Sequence, residues 1–199
     1  MIIIEKGVRL KKSRIFIRGD HNVIKISSDV IIFKGDFWIE DNNNEIVIGE
    51  RTAICGETHI SCIEGSKILI GSDCLFSSDI IFRTGDSHSI LDDNMHRINW
   101  SKDIVIENHV WVCNKVMVGK GVTIKSNSII GMGAVVAKKC DKANVILAGN
   151  PAHIVKQNIN WEDASEACLT EVRENQHTME TALALATQQD VILTICFHW

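Results

Sequence analysis

The chain is 199 residues long, 45% apolar and carries a formal net charge of -4, enough for one well-buried domain with an appendage and short for two. It has no basic footprint of the kind that a phosphate backbone requires, which sets nucleic acid aside as a partner. Its seven cysteines are scattered and form no C-x2-C pair, so no zinc or redox motif is encoded, and free thiols of this kind suit a reducing, cytoplasmic compartment.

In chain order, the opening Met1-Ile2-Ile3-Ile4 is interrupted by Glu5 and Lys6 before it reaches the length of a signal h-region. No stretch approaches the roughly 20 apolar residues that span a bilayer. One proline, no tyrosine and 13 glycines among abundant Ile and Val predict many short strands joined by turns. The runs Ile15–Ile17, Val23–Ile26, Val30–Phe33 and Ile46–Ile48, parted by polar turns such as Arg18-Gly19-Asp20-His21-Asn22, read as the first, looser coils.

A strict period of six then sets in. Ile48, Ile54 and Ile60 are followed, after a gap of ten, by Ile70, Phe76 and Phe82, and later by Ile106, Val112, Val118, Ile124, Ile130 and Val136. Four places after the first five of that last series stand Val110, Val116, Val122, Ser128 and Ala134, all small or β-branched. One place after come Glu107, Cys113, Gly119, Lys125, Gly131 and Ala137, mostly small. Neither the helical period of about 3.6 nor the strand period of about 2 produces a six. A triangular coil does: each unit supplies one short strand and one corner, three units close a turn, and stacked turns join their aliphatics into one core. An ordinary antiparallel β domain would have to reach the same spacing by coincidence.

Two departures break the period. Four extra residues between Ile60 and Ile70 fit a slightly longer corner. Between Phe82 and Ile106 the register is lost over a loop at about 83–103, which includes Arg83-Thr84-Gly85-Asp86-Ser87-His88-Ser89-Ile90 and Met95-His96-Arg97-Ile98-Asn99-Trp100. A long loop on a regular scaffold is usually functional. After Pro151 the pattern changes, and Asn160-Trp161-Glu162-Asp163 reads as a capped helix start. The expected organisation is a β-helix over 1–156 and a C-terminal helical appendage with a tail over 157–199.

Three segments together resemble the hexapeptide-repeat acetyltransferases, in particular those that O-acetylate bacterial surface polysaccharides, sialic acids or galactosides. They are Gly85-Asp86-Ser87-His88-Ser89-Ile90, then Lys102 to Val112, then Ile130-Gly131-Met132-Gly133-Ala134-Val135-Val136 with Ala148-Gly149-Asn150-Pro151-Ala152-His153-Ile154-Val155-Lys156. The resemblance covers roughly residues 15 to 157. It implies an all-β fold, a left-handed parallel β-helix, assembled as a homotrimer with active sites at the subunit clefts. It implies acetyl-CoA as acetyl donor and a saccharide acceptor, with His88 as the base and Trp111 beside it. Asn114, Gly131, Met132, Gly133, Ala134, Lys138 and Lys156 would hold coenzyme A, no metal being needed. His153 stands where relatives often have arginine and Ala137 where they often have threonine, which bears on single phosphate contacts.

The chemistry suits a histidine. A sugar hydroxyl is a poor nucleophile at neutral pH, and an imidazole with an unperturbed pKa of about 6.5 can accept its proton as the thioester carbonyl is attacked. Backbone N–H groups of the coil can stabilise the oxyanion. Asp86, Asp92 or Asp93 can orient the ring of His88, and Met95-His96-Arg97 can meet an anionic acceptor, although a loop histidine without a role is simply solvated surface. Trp111, next to the inward Val112, should face outward, against the acceptor or pantetheine or in a trimer interface. Rival readings are a sugar-nucleotide N-acetyltransferase of the same fold, a β-helix protein resembling carbonic anhydrase with a three-histidine zinc site, which the spacing of His59, His88 and His96 fits poorly, and a silent scaffold.

Overall fold

The computed structural model describes residues 1–162, and all its named elements are β-strands. The helix expected from Asn160 and the apolar stretch Val191–Trp199 lie outside the described residues. Met1–Trp161 form one compact unit.

The six-residue series coils as a left-handed parallel β-helix with three faces. On the first face, Ile4, Ile26, Ile48, Ile70, Ile106 and Ile124 stand in register in successive turns. On the second the column is Leu10, Ile32, Ile54, Phe76, Val112, Ile130 and Leu147. On the third it is Ile15, Phe37, Ile60, Phe82, Val118 and Val136. From the second turn onward all these side chains are buried, and Phe76 stacks on Phe82 with ring centroids 5.4 Å apart. The corner residues Val110, Val116, Val122, Ser128 and Ala134 are each 0% exposed, so a six-residue unit contributes two inward side chains.

Each unit turns its corner with one left-handed residue. His109, Lys115, Gly121, Asn127 and Gly133, again six apart, have φ between 56° and 75°, a conformation open to glycine and tolerated by asparagine. The main-chain ladder continues through the corners, where Gly49, Gly71 and Glu107 N–H donate to the carbonyls of Ile70, Ile106 and Ile124 at 2.8, 2.8 and 2.9 Å.

The turn is not uniform in length. In the N-terminal coils it takes 22 residues, the sequence separation of Arg14 from Asp36 and of Arg51 from Asp73, which pair across one turn. Beyond the loop it takes 18, the separation of Lys125 from Glu107. The four extra residues are more than a longer corner. The strands Ile31–Glu40 and Ala53–Ile63 continue beyond Phe37 and Ile60, adding the buried Ile39 and Cys62 before Glu64-Gly65 turn the chain. The exposed ion pairs add little stability, but each aligns one turn over the next. At the far end His153–Gln157 runs antiparallel to Val145–Ala148 and ends the parallel stacking.

Because Phe82 is fully buried and packed on Phe76, Phe82→Ala should cost about 3–5 kcal/mol. Urea unfolding followed by circular dichroism checks this, and a loss below about 1 kcal/mol would contradict a close-packed column.

Candidate active site

The loop leaves the third face after Phe82 and re-enters the first at Ile104. Its neck is closed by Lys102 N–H donating to Thr84 O at 2.9 Å. A Cβ on Gly85 would lie 2.6 Å from Ile63 Cδ1, so a larger residue here would have to displace the Ile63 side chain at the entry to the loop. The outer part folds back on itself, with Leu91 paired antiparallel to Arg97 and the Asp92 and Ile98 N–H groups donating to His96 O and Ile90 O, each at 2.9 Å.

Asn99, 7% exposed, organises the inner part. Its Nδ2 donates to Asp86 Oδ2 and to the carbonyl of His88, both at 2.8 Å, while its Oδ1 accepts from Ile90 N–H at 2.7 Å. Lys120, from the next turn, pairs with the Asp86 carboxylate and donates to Asn99 O at 2.9 Å. Those bonds, from Lys120 first and then Asn99, hold the Asp86 carboxyl below its ordinary range. A second anchor is Glu64 at the wide corner. It pairs with Arg97 at 2.5 Å, both side chains being under one-fifth exposed, and accepts from Ser101 N–H at 3.1 Å. Arg97 also lies over the Trp100 ring, 4.4 Å from its centroid.

Beside this neck runs a trough. A cleft of about 610 Å³ has Arg83, Asp86, Lys102, Gly119, Lys120 and Ala137 in its walls. A second, of about 690 Å³, continues from Ala137 past Lys138 to Gly149, Pro151 and His153. Arg83, Gly119 and Ala137 each follow a member of the third inward column, Phe82, Val118 and Val136. The small residues one place after the repeat position therefore leave open a channel along the coil axis.

Residues 103–138 match the bacterial transferase hexapeptide family of six repeats. A polysialic acid O-acetyltransferase of Neisseria meningitidis is 34% identical over 161 residues, covering 80% of this chain and 74% of the relative. The chain belongs to the hexapeptide-repeat acetyltransferases. A polysialic acid O-acetyltransferase of Escherichia coli is 38% identical over 148 residues, but these cover 74% of this chain and only 45% of that relative. The crystal structure of the polySia-specific acetyltransferase NeuO superposes with a TM-score of 0.63 at 30% identity, covering 81% of this chain and 78% of that one.

Within this chain the sequence-predicted residues fall at three places. His88 is exposed, and its imidazole makes no hydrogen bond within the described residues; Asp86 and Asn99 fix the backbone on either side of it. Trp111 faces outward as expected, but on the second face, in a row with Leu75 and Ile129. One chain therefore does not bring His88 and Trp111 together. The Trp111 Nε1 is buried without a partner among the described residues, and its ring is tilted against Trp161 at 6.1 Å, which stacks on His109 at 4.1 Å.

Asn114, Met132 and Gly133 share the corner between the second and third faces, where Gly133 N–H donates to Asn114 O at 2.9 Å. Met132 is 73% exposed there, while Ala134 is buried. Gly131 lies against Ala148. Lys138 lines the trough, and Lys156 sits over the second face opposite Ile146. Asn99, Lys120 and Glu64 have no mark in the sequence, since pairs separated by 37 or 34 residues carry no local signal.

The depressed Asp86 favours its ionised form, so its contribution to the loop neck is fully present above the unfolded value of about 3.9 and is lost as pH falls through the lower folded value. Asn99→Ala should speed amide hydrogen exchange across residues 86–99 at least tenfold at pH 7, leaving the columns protected. Unchanged exchange would mean that Asn99 does not hold the loop.

Proposed function

We propose that the chain transfers an acetyl group from acetyl-CoA to a hydroxyl of a bacterial surface polysaccharide or its precursor, polysialic acid being the first acceptor to test, in the cytoplasm. The observation that carries the reading is the trough, which begins at the neck of the His88 loop and runs over Gly119 and Ala137 to Lys138 and His153. Its small-residue floor at Gly119 and Ala137 suits a pantetheine arm, and Lys138 and His153 are placed to meet the phosphates of coenzyme A. Among the described residues no helix is long and apolar enough to cross a membrane.

In this reading the thioester lies near the neck. His88 takes the proton of the acceptor hydroxyl as the oxygen attacks the thioester carbonyl, and returns it to the departing thiolate of coenzyme A. Backbone N–H groups at the coil edge stabilise the oxyanion. Gly131 to Ala134, Asn114 and Lys156 are assigned to coenzyme A, and Trp111 to the acceptor or pantetheine wall.

His88 and Trp111 leave different faces of one chain, so the site is completed between chains, as in a homotrimer. Support comes from the second face, whose outward row Ile31, Ala53, Leu75, Trp111, Ile129 and Ile146 is apolar, and from Ile90, Ile98 and Trp100 on the loop, each more than half exposed.

With acetyl-CoA and polysialic, galactose-containing and amino-sugar acceptors, thiol release should depend on the acceptor and yield a base-labile ester, and His88→Ala should lower it about 10²- to 10⁴-fold while acetyl-CoA binding persists. A base-stable amide would favour the N-acetyltransferase reading, and no binding of acetyl-CoA would overturn both. His88→Ala and Trp111→Ala chains, each inactive alone, should recover about a quarter of wild-type activity when refolded together; no recovery would contradict a site shared between chains.

A further inference from the structure

The widened N-terminal coils carry an outward surface that the transfer site does not use. On the third face Phe16 and Trp38 are register partners in adjacent turns, half-buried, with ring centroids 4.1 Å apart and planes 22° from parallel. The Arg14 guanidinium lies 5.6 Å from the Trp38 ring centroid. It is held by a two-bond grip on Asp36, at 2.8 and 3.0 Å, and Asp36 also meets His59 Nδ1 at 2.8 Å. Arg14 first, then His59, keep the Asp36 carboxyl ionised. The Trp38 indole N–H makes no hydrogen bond within the described residues.

This stacked aromatic ledge, edged by fixed planar donors and acceptors and by the Trp38 indole N–H, has the chemistry that holds a sugar: apolar C–H groups against the exposed ring surface, hydroxyls and carboxylates at its rim. Position adds a second argument. Phe16, Trp38, Ser61 and Arg83 occupy one register row, and Arg83 is in the wall of the cleft at the loop neck. Two rungs separate Trp38 from Arg83, about 10 Å along the coil axis, a span that a short run of linked sugar rings can bridge.

We propose that the Phe16–Trp38 ledge, with Arg14, is a second saccharide-binding site, which holds a polymeric acceptor several sugar units from the unit being acetylated. The inference rests on the saccharide-transferase reading for its link to catalysis, and on the ledge alone for binding. It gives the widened coils a role, since they provide a hold that a chain of several sugars reaches and a one- or two-sugar acceptor does not.

The test compares wild type, Trp38→Ala and Trp38→Phe with long-chain polysialic acid and with a short sialic acid oligomer, after thermal melts confirm equal folding. Trp38→Ala should raise KM for the polymer about five- to tenfold, the size of one lost stacking contact, with kcat, the oligomer KM and acetyl-CoA affinity unchanged; Trp38→Phe should restore most of the loss. An unchanged polymer KM, or an equal loss for polymer and oligomer, overturns the proposal. If wild type acetylates neither, the transferase reading has failed on this acceptor, and the ledge is judged on direct binding to immobilised polysialic acid. Wild-type binding weakened by Trp38→Ala but kept by His88→Ala upholds it; no wild-type binding, or equal binding by Trp38→Ala, overturns it.

Discussion

The structure depends on the hydrogen-bonded register between successive turns. Within the coil, interior strands pair in parallel with the strand one turn before and one turn after, and the pairing extends through the corners. A shift of one residue would turn every inward aliphatic to solvent, so the columns built on Ile48, Ile54 and Ile60 fix register and depth together. Outward residues become rows at the spacing of about 4.8 Å between paired strands. The trough and the Phe16–Trp38 ledge are such rows, and neither requires a special local fold.

A scaffold of this kind takes a long insertion at a corner without losing its columns. Ile70 and Ile106 are neighbours in the first column, although the whole loop lies between them. What the scaffold cannot supply is the loop's internal order. That comes from a polar cluster in which the Asn99 side chain bonds four loop groups and Lys120 and Glu64 tie the loop to turns on either side of it. His88 stands where this cluster fixes the backbone, while its imidazole has no hydrogen-bond partner among the described residues.

Much of the fold was legible because a core column repeats at a fixed interval. Ile106 to Val136 stand six apart, and all are buried. The length of the N-terminal turn was harder to read, since only the step from Ile48 to Ile70 exposed it and the extra residues passed for a corner. A further signal was present: Arg14 and Asp36, Arg51 and Asp73, and Glu45 and Lys67 are oppositely charged pairs 22 residues apart, one full turn. Phe16 and Trp38 share that interval. Of the candidate site, His88 and the small residues at Gly119 and Ala137 could be found from loop position and repeat phase. The separation of His88 from Trp111 could not, because the loop between Phe82 and Ile106 interrupts the count of six-residue units that assigns each residue a face.

The central claim is that the channel floored by Gly119 and Ala137 seats the acyl donor beside His88. Ala137→Trp places a bulky ring at the point where the two clefts meet while leaving the inward Val136 untouched, and isothermal titration of acetyl-CoA into this variant tests the claim directly. The account predicts a folded protein whose affinity for acetyl-CoA falls at least a hundredfold, about 2.7 kcal/mol; wild-type affinity in Ala137→Trp would contradict it.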